Sequence, residues 1–139
     1  MKECSEDLLN NETCAVNVQA AAPADGELIP MEEIPDPVFS KGQLGKCIGI
    51  IPENGNIYSP CAGTIVSIAD TKHAITLSPE SGEEYLIHVG IDTVKLSGKG
   101  FNVLVSEGEH VSLSQKIMEA DLDVIKGAGF STMIILVKL

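Results

Sequence analysis

The chain contains no arginine and no tryptophan. Its nine Lys+Arg positions are all lysines and stand against 20 Asp+Glu, a net charge of −11 over 139 residues. A protein that grips duplex nucleic acid presents a basic face, commonly with guanidinium groups that reach bases and phosphates, so nucleic acid is not an expected partner. A basic protein surface is, because complementary charge speeds encounter. The missing arginine also means that any phosphate handled here is held without a guanidinium fork. Aromatics make up 4% of a chain that is 44% hydrophobic, so the core is expected to be aliphatic. The longest apolar runs, such as Met133-Ile-Ile-Leu-Val137, fall far below the roughly 20 residues of a spanning helix. The N-terminus, Met-Lys-Glu-Cys-Ser-Glu-Asp, has no apolar export core, and the expected location is the cytoplasm. Cys4, Cys14, Cys47 and Cys61 form no CxxC pair and read as reduced thiols, the latter two as small buried hydrophobes.

What is abundant is turn chemistry, with Gly 13 and Pro 7. Residues 1–14 show scattered charge and no period; they read as a flexible acidic tail or linker remnant, with a domain over 15–139. Short runs rich in Val, Ile and Thr follow: Ala15–Ala20, Lys46–Ile51, Ala62–Ala69, His73–Ser78, Glu84–Val89, Lys116–Ala120 and Thr132–Lys138. Only Asp121–Lys126 has the look of a helical turn, with Gly127 to stop it. The expected class is all-β, a sandwich or barrel. Ala22-Pro-Ala-Asp-Gly-Glu-Leu28 resembles Ser59-Pro-Cys-Ala-Gly-Thr-Ile65, 37 positions later (Pro23 to Pro60, Gly26 to Gly63). Each copy is a turn feeding a strand, which predicts a duplicated hairpin motif. Glu107-Gly-Glu-His-Val111 and Lys116-Ile-Met-Glu119 fit the turn-rich edge of such a barrel sandwich.

There is no Gly-rich phosphate loop, no HExxH and no GxSxG. Chemistry then rests on the histidines. His73 opens one predicted strand and His88 closes the next, with Pro79-Glu-Ser-Gly82 as a hairpin turn between them. With Glu80-Ser81 at the centre, Leu77 faces Glu84, Ile75 faces Leu86 and His73 faces His88. Directly opposed residues have Cβ atoms about 4.5–5.5 Å apart, so pairing alone brings two imidazoles together; a one-residue slip would reassign the faces. Two close imidazoles suit either of two chemistries. They can hold zinc, which needs a further ligand such as a partner's carboxylate. Alternatively one is a nucleophile and the other stabilises developing charge, as in phosphoryl transfer. His110 reads as a solvated loop residue.

Leu86-Ile-His-Val-Gly-Ile-Asp-Thr-Val94, preceded by Asp70-Thr-Lys-His-Ala-Ile75, resembles the glucose-family IIA domain of the bacterial sugar phosphotransferase system. Lys95-Leu-Ser-Gly-Lys-Gly-Phe101, Ile34-Pro-Asp-Pro-Val-Phe39 and Asn56-Ile-Tyr-Ser-Pro-Cys-Ala-Gly63 fit as well, and the likeness runs from about Val16 to the C-terminus. The resemblance implies an antiparallel β-sandwich with a duplicated barrel-like motif, an enzyme component that carries phosphohistidine during sugar uptake. It implies that His88 accepts a phosphoryl group from the phosphocarrier HPr and passes it to a cysteine of a IIB domain. It further implies that His73 stays unmodified and holds the phosphoryl oxygens, with Thr71 in the hydrogen-bond network of the pair. An exposed apolar docking rim would include Val38 and Phe39, on a loop bracketed by Pro35 and Pro37, with Asp36 and Asp92 close enough to meet a basic partner. No cofactor is required on this reading, although zinc at His73 and His88 completed by a partner's carboxylate remains an option. The membrane permease IIC would be an indirect partner and would associate the chain with the membrane.

The sequence departs from the family pattern at Lys72, where Asn is familiar, at Pro37, and in ending at Leu139. Two other carriers compete: a lipoyl or biotinyl domain modified on Lys72, and a regulatory IIA-like domain fused to a sugar symporter. A zinc endopeptidase of the same architecture needs a His-x-His pair, which this sequence lacks.

Overall fold

The computed structural model describes residues 22–79 and 82–139. The expected acidic tail over 1–14, the run Ala15–Ala20, Cys4, Cys14 and the turn centre Glu80-Ser81 lie outside the described residues. In chain order the elements are β1 (Gly26–Ile29), α1 (Pro37–Ser40), β2 (Lys46–Pro52), β3 (Asn56–Tyr58), β4 (Gly63–Ile68), β5 (Ala74–Ser78), β6 (Tyr85–Ile91), β7 (Phe101–Val103), β8 (His110–Val111), β9 (Lys116–Ala120), α2 (Leu122–Gly127) and β10 (Ser131–Lys138). Short 3-10 turns occupy Met31–Glu33 and Thr93–Leu96. The strands form a seven-stranded sheet, β1-β2-β10-β6-β5-β4-β8, and a three-stranded sheet, β3-β9-β7. Every pairing is antiparallel, so the fold is the all-β sandwich that the sequence predicts.

The packing follows from where the apolar side chains point. In β5, Ile75 and Leu77 are buried while their neighbours are half-exposed, the period of two that covers one face. These residues join Ile50, Ile65, Ile87 and Leu136 in the main core, together with Ile57, Ile117 and Met118 from the smaller sheet. β10 breaks the alternation, with Ile134, Ile135, Leu136 and Val137 all buried. It lies centrally in the sheet and is covered on both faces. Ile134 and Leu136 enter the main core, while Ile135 and Val137 enter a second cluster with Ile34, Phe39, Cys47 and Ile91. An uninterrupted apolar run is the expected signature of a strand buried on both sides. Cys47 and Cys61 are both buried, one in each cluster.

The repeat is real in three dimensions. Gly26 opens β1 and Gly63 opens β4, and a Cβ on either would collide with the strand opposite: with the carbonyl of Ile51 at Gly26, and at 2.5 Å from that of Ser78 at Gly63. Both strands then pair with one that ends in Pro-Glu-x-Gly-x-x-Tyr, over 52–58 and again 27 positions later over 79–85 (Pro52 to Pro79, Tyr58 to Tyr85). Glu27↔Ile51 in one half corresponds to Thr64↔Ser78 in the other. An approximate two-fold axis passes through the central pair Leu136↔Ile87 and exchanges Val137↔Leu86 with Ile135↔His88. The two halves differ in the connection between their paired strands: residues 30–45 in the first, carrying α1, and residues 69–73 in the second.

Candidate functional site

The two unequal connections meet on the outer face of β6. Along this strand Tyr85, Ile87 and Val89 face the core, leaving Leu86 and His88 on the opposite side. From residues 30–45, Phe39 lays its ring 5.2 Å from that of His88. From residues 69–73, His73 brings its ring to 4.8 Å from His88 in an edge-to-face arrangement. The expected meeting of the two imidazoles therefore occurs, but the expected register does not. Ala74, not His73, stands opposite His88, and Leu77 stands opposite Tyr85. β5 begins at Ala74, so His73 lies in the bend before it, following Lys72 in a left-handed conformation (φ 64°). The ladder still reaches it, because Val89 N–H donates to the His73 carbonyl at 2.8 Å. Leaving the regular pleat is what lets the His73 ring come round to the His88 side of the sheet.

Each imidazole is held through Nδ1, and the two anchors differ in kind. His88 Nδ1 lies 2.7 Å from the carbonyl oxygen of Gly90. A carbonyl only accepts, so neutral His88 carries its proton on Nδ1 and leaves Nε2 with a free lone pair. His73 Nδ1 lies 2.7 Å from Thr71 Oγ1, a hydroxyl that donates or accepts. When Thr71 donates, His73 Nε2 carries the proton and becomes a donor. One ring then presents a lone pair and its neighbour an N–H, the arrangement that lets one attack and the other stabilise.

Electrostatics keep both rings neutral at physiological pH. Burial pushes the His88 pKa down, against the Gly90 hydrogen bond and the carboxylates of Asp36 and Asp92, which push it up. Burial lowers His73 as well, and the neighbouring His88 lowers it further. Asp36 and Asp92 are thus felt at His88. Asp36 also serves as the N-cap of α1, its Oδ1 accepting from Val38 N–H at 2.9 Å, with Pro37 in the first turn where its missing N–H costs nothing. Asp92 (φ 64°) precedes the turn Thr93–Leu96 but makes no side-chain cap to it.

The expected exposed pair Val38 and Phe39 divides. Val38 is 40% exposed, but Phe39 is 6% exposed and belongs to the second cluster. The prolines that suggest an open loop instead start the helix α1, which turns Phe39 inward while Val38 faces out. His110 is exposed as expected, although on β8 rather than a loop. Two contributors escape the sequence reading: the Gly90 carbonyl, because a backbone group leaves no side-chain signal, and buried Thr93, whose Oγ1 donates to the Val89 carbonyl at 2.5 Å. Among the described residues no three His, Cys, Asp or Glu side chains converge as a metal site. A zinc ion here would find only His73 and His88 as ligands among the described residues and would need further ligands from elsewhere. No helix among the described residues is long and apolar enough to cross a membrane.

Comparison with known proteins completes the description. The family model described as phosphoenolpyruvate-dependent sugar phosphotransferase system, EIIA 1, matches residues 18–139. The PTS system glucose-specific EIICBA component of Streptococcus pneumoniae serotype 4 is 45% identical over 114 residues, covering 82% of this chain and 16% of that protein. The component of the same name from Staphylococcus saprophyticus is 43% identical over 132 residues, covering 95% of this chain and 19% of that protein. The chain thus spans a fifth or less of the length of these relatives. The solved structure of glucose permease IIA from Mycoplasma capricolum superimposes with a TM-score of 0.82 at 33% identity, covering 86% of this chain and 77% of that one.

Proposed function

Because the chain belongs to the EIIA 1 family of the phosphoenolpyruvate-dependent sugar phosphotransferase system, we propose that His88 is its phosphoryl acceptor and that His73 and Thr71 steady the group in transit. The observation that carries this reading is the opposite anchoring of two touching imidazoles, His88 on a carbonyl and His73 on a hydroxyl.

The steps follow from that anchoring. The His88 Nε2 lone pair attacks the phosphorus of a phosphohistidine on HPr. The new N–P bond forms as the donor's N–P bond breaks, and the donor imidazole leaves with that electron pair. No proton has to leave Nε2, since Nδ1 already holds it. As the ring gains positive character, the Nδ1–H to Gly90 bond becomes charge-assisted and stronger. His73 Nε2–H donates to a phosphoryl oxygen, supplying the stabilisation that an arginine would otherwise give. A cysteine thiolate of a IIB domain then attacks the phosphorus, and His88 leaves as the neutral imidazole.

On this reading residues 15–139 form the phosphotransferase domain, and residues 1–14 an acidic extension. The domain works in the cytoplasm, coupled through IIB to the membrane permease IIC. Val38, beside the carboxylates of Asp36 and Asp92, forms part of the face that meets basic partners, and Phe39 supports that face from beneath. A zinc ion at His73 and His88 would require a partner's carboxylate. Lys72 has no role as a lipoyl or biotinyl site.

The test is incubation with phosphoenolpyruvate and the general phosphotransferase proteins, read by intact mass. The wild type is expected to gain one phosphoryl group and His88→Ala none; a gain that persists in His88→Ala overturns the assignment. His73→Gln is expected to accept the group and pass it to IIB at least ten-fold more slowly, in line with the loss of one preorganised donor.

A further inference from the structure

The turn that follows His88 is built around a threonine whose hydroxyl bonds the backbone rather than an imidazole. Thr93 is completely buried. Its Oγ1 donates back to the Val89 carbonyl at 2.5 Å, tying the 3-10 turn Thr93–Leu96 to the end of β6 that contains Gly90. Gly90 adopts a left-handed conformation (φ 82°), and a Cβ there would overlap Thr93 Cγ2 and lie 2.9 Å from the Ser131 carbonyl. The Gly90 backbone is therefore clamped between the Thr93 side chain and the start of β10. Asp92, next in the same turn, is also left-handed (φ 64°). Glycine carries no Cβ to restrict its dihedrals, so the orientation of the peptide plane after Gly90 is set by its surroundings. That plane carries the oxygen facing His88 Nδ1.

We propose that Thr93 is a positioning residue that holds His88 as its Nδ1–H tautomer, by fixing the Gly90 carbonyl through its hydroxyl bond to the Val89 carbonyl. The inference rests on the reading of His88 as phosphoryl acceptor, which gives the tautomer its purpose. Rotation of the Gly90 carbonyl away from the ring removes the acceptor for Nδ1–H. The proton then distributes to Nε2 and covers the lone pair that must attack. A ligating or catalytic imidazole commonly has its tautomer set by such a remote partner.

The experiment reads the imidazole nitrogens of His88 by NMR in 15N-labelled full-length chain at pH 8, where both histidines are neutral, for the wild type, Thr93→Val and Thr93→Ser. The wild type is expected to show protonated Nδ1. Thr93→Val keeps the shape but not the hydroxyl; loss of one net hydrogen bond corresponds to a shift of roughly five-fold in the tautomer ratio toward Nε2–H. Its rate of phosphoryl acceptance follows the fraction still protonated at Nδ1 and is expected to fall by less than that factor. Thr93→Ser keeps the hydroxyl and is expected to retain the wild-type tautomer. A folded Thr93→Val with the wild-type ratio overturns the proposal. Should Thr93→Val fail to fold, Thr93→Ala decides: a wild-type ratio there overturns the proposal, and a shift toward Nε2–H that Thr93→Ser does not show supports it. A tautomer shift in a protein whose wild type takes no phosphoryl group on His88 would remove the reading of His88 as acceptor while leaving the tautomer control in place.

Discussion

His73 and His88 are the same residue type in contact with one another, and what separates them is the oxygen each Nδ1 faces. A carbonyl forces a proton onto His88 Nδ1, whereas the Thr71 hydroxyl is free to give one to His73. The pKa of both rings lies below the ordinary 6.5, chiefly through burial. Well above pH 6.5 both are neutral whether the chain is folded or not, and their contribution to stability does not vary. As pH falls through 6.5 the unfolded chain takes up protons first, so stability is lost down to the folded-state pKa values. Urea midpoints are accordingly expected to fall between pH 7.5 and pH 5.5. Part of that fall should vanish in the His73→Gln, His88→Gln double variant; an unchanged pH dependence there would assign the whole effect to carboxylates.

Among the elements, α1 shows how a short helix can hide a functional position. Pro35 and Pro37 bracket Asp36, a spacing that suggests an open loop, yet the same residues are a cap and a first-turn proline. The three-residue step to Phe39 then sends the ring inward against His88 rather than out to a partner. The Phe39→Ala variant is expected to lose about 3 kcal/mol of stability, near the lower end for a buried phenylalanine because the cluster borders the surface. It should also accept phosphoryl groups more slowly, and a denaturation curve alongside the transfer assay separates the two effects. If Phe39→Ala leaves stability unchanged, the ring is not the wall that its burial indicates.

Most long strands were legible for a simple reason: β2, β4, β5, β6, β9 and β10 carry their own β-branched residues, and glycine or proline lies near most of them, β9 being flanked by Gln115 and Asp121 instead. Of the short strands, β1 was marked only as the strand fed by the repeated Pro-x-x-Gly turn, and β3, β7 and β8 were not marked, since a segment such as Phe101–Val103 becomes a strand only through the neighbour it pairs with. The His pair was legible because two imidazoles flank one hairpin, whereas its register was not. Where a strand stops depends on the bend at Lys72 and His73, which no hydrophobic pattern marks. α2 was legible from Asp121, whose carboxylate caps Asp123 and Val124 N–H groups. Its stop is displaced, however: Gly127 is still helical and Gly129 takes the left-handed conformation.

Across the whole molecule, the duplication explains why the site lies where it does. The two-fold relation places Val137 at the position equivalent to His88. With His88 as the proposed phosphoryl acceptor, one half offers that place to chemistry, and the other fills it with hydrocarbon under the connection 30–45. A chain with net charge −11 and no arginine should meet a basic partner faster at low salt. Its association rate with HPr is expected to drop about ten-fold between low and roughly 0.5 M salt, with dissociation changing much less. A salt-independent association rate would argue that docking is apolar alone.

The two hydrophobic clusters each enclose one cysteine, and that gives the molecule two internal reporters. Cys47 donates to the Phe39 carbonyl at 3.2 Å and has its pKa pushed up to about 11, while Cys61 in the main core is pushed up to about 12. Neither forms thiolate at neutral pH while enclosed, so neither reacts until its cover lifts. A peeling of residues 30–45 alone bares the first sulfur and leaves the second sealed, whereas global unfolding bares both. The chemistry of alkylation thus distinguishes a breathing of the His88 wall from collapse of the sandwich, within a single unlabelled chain.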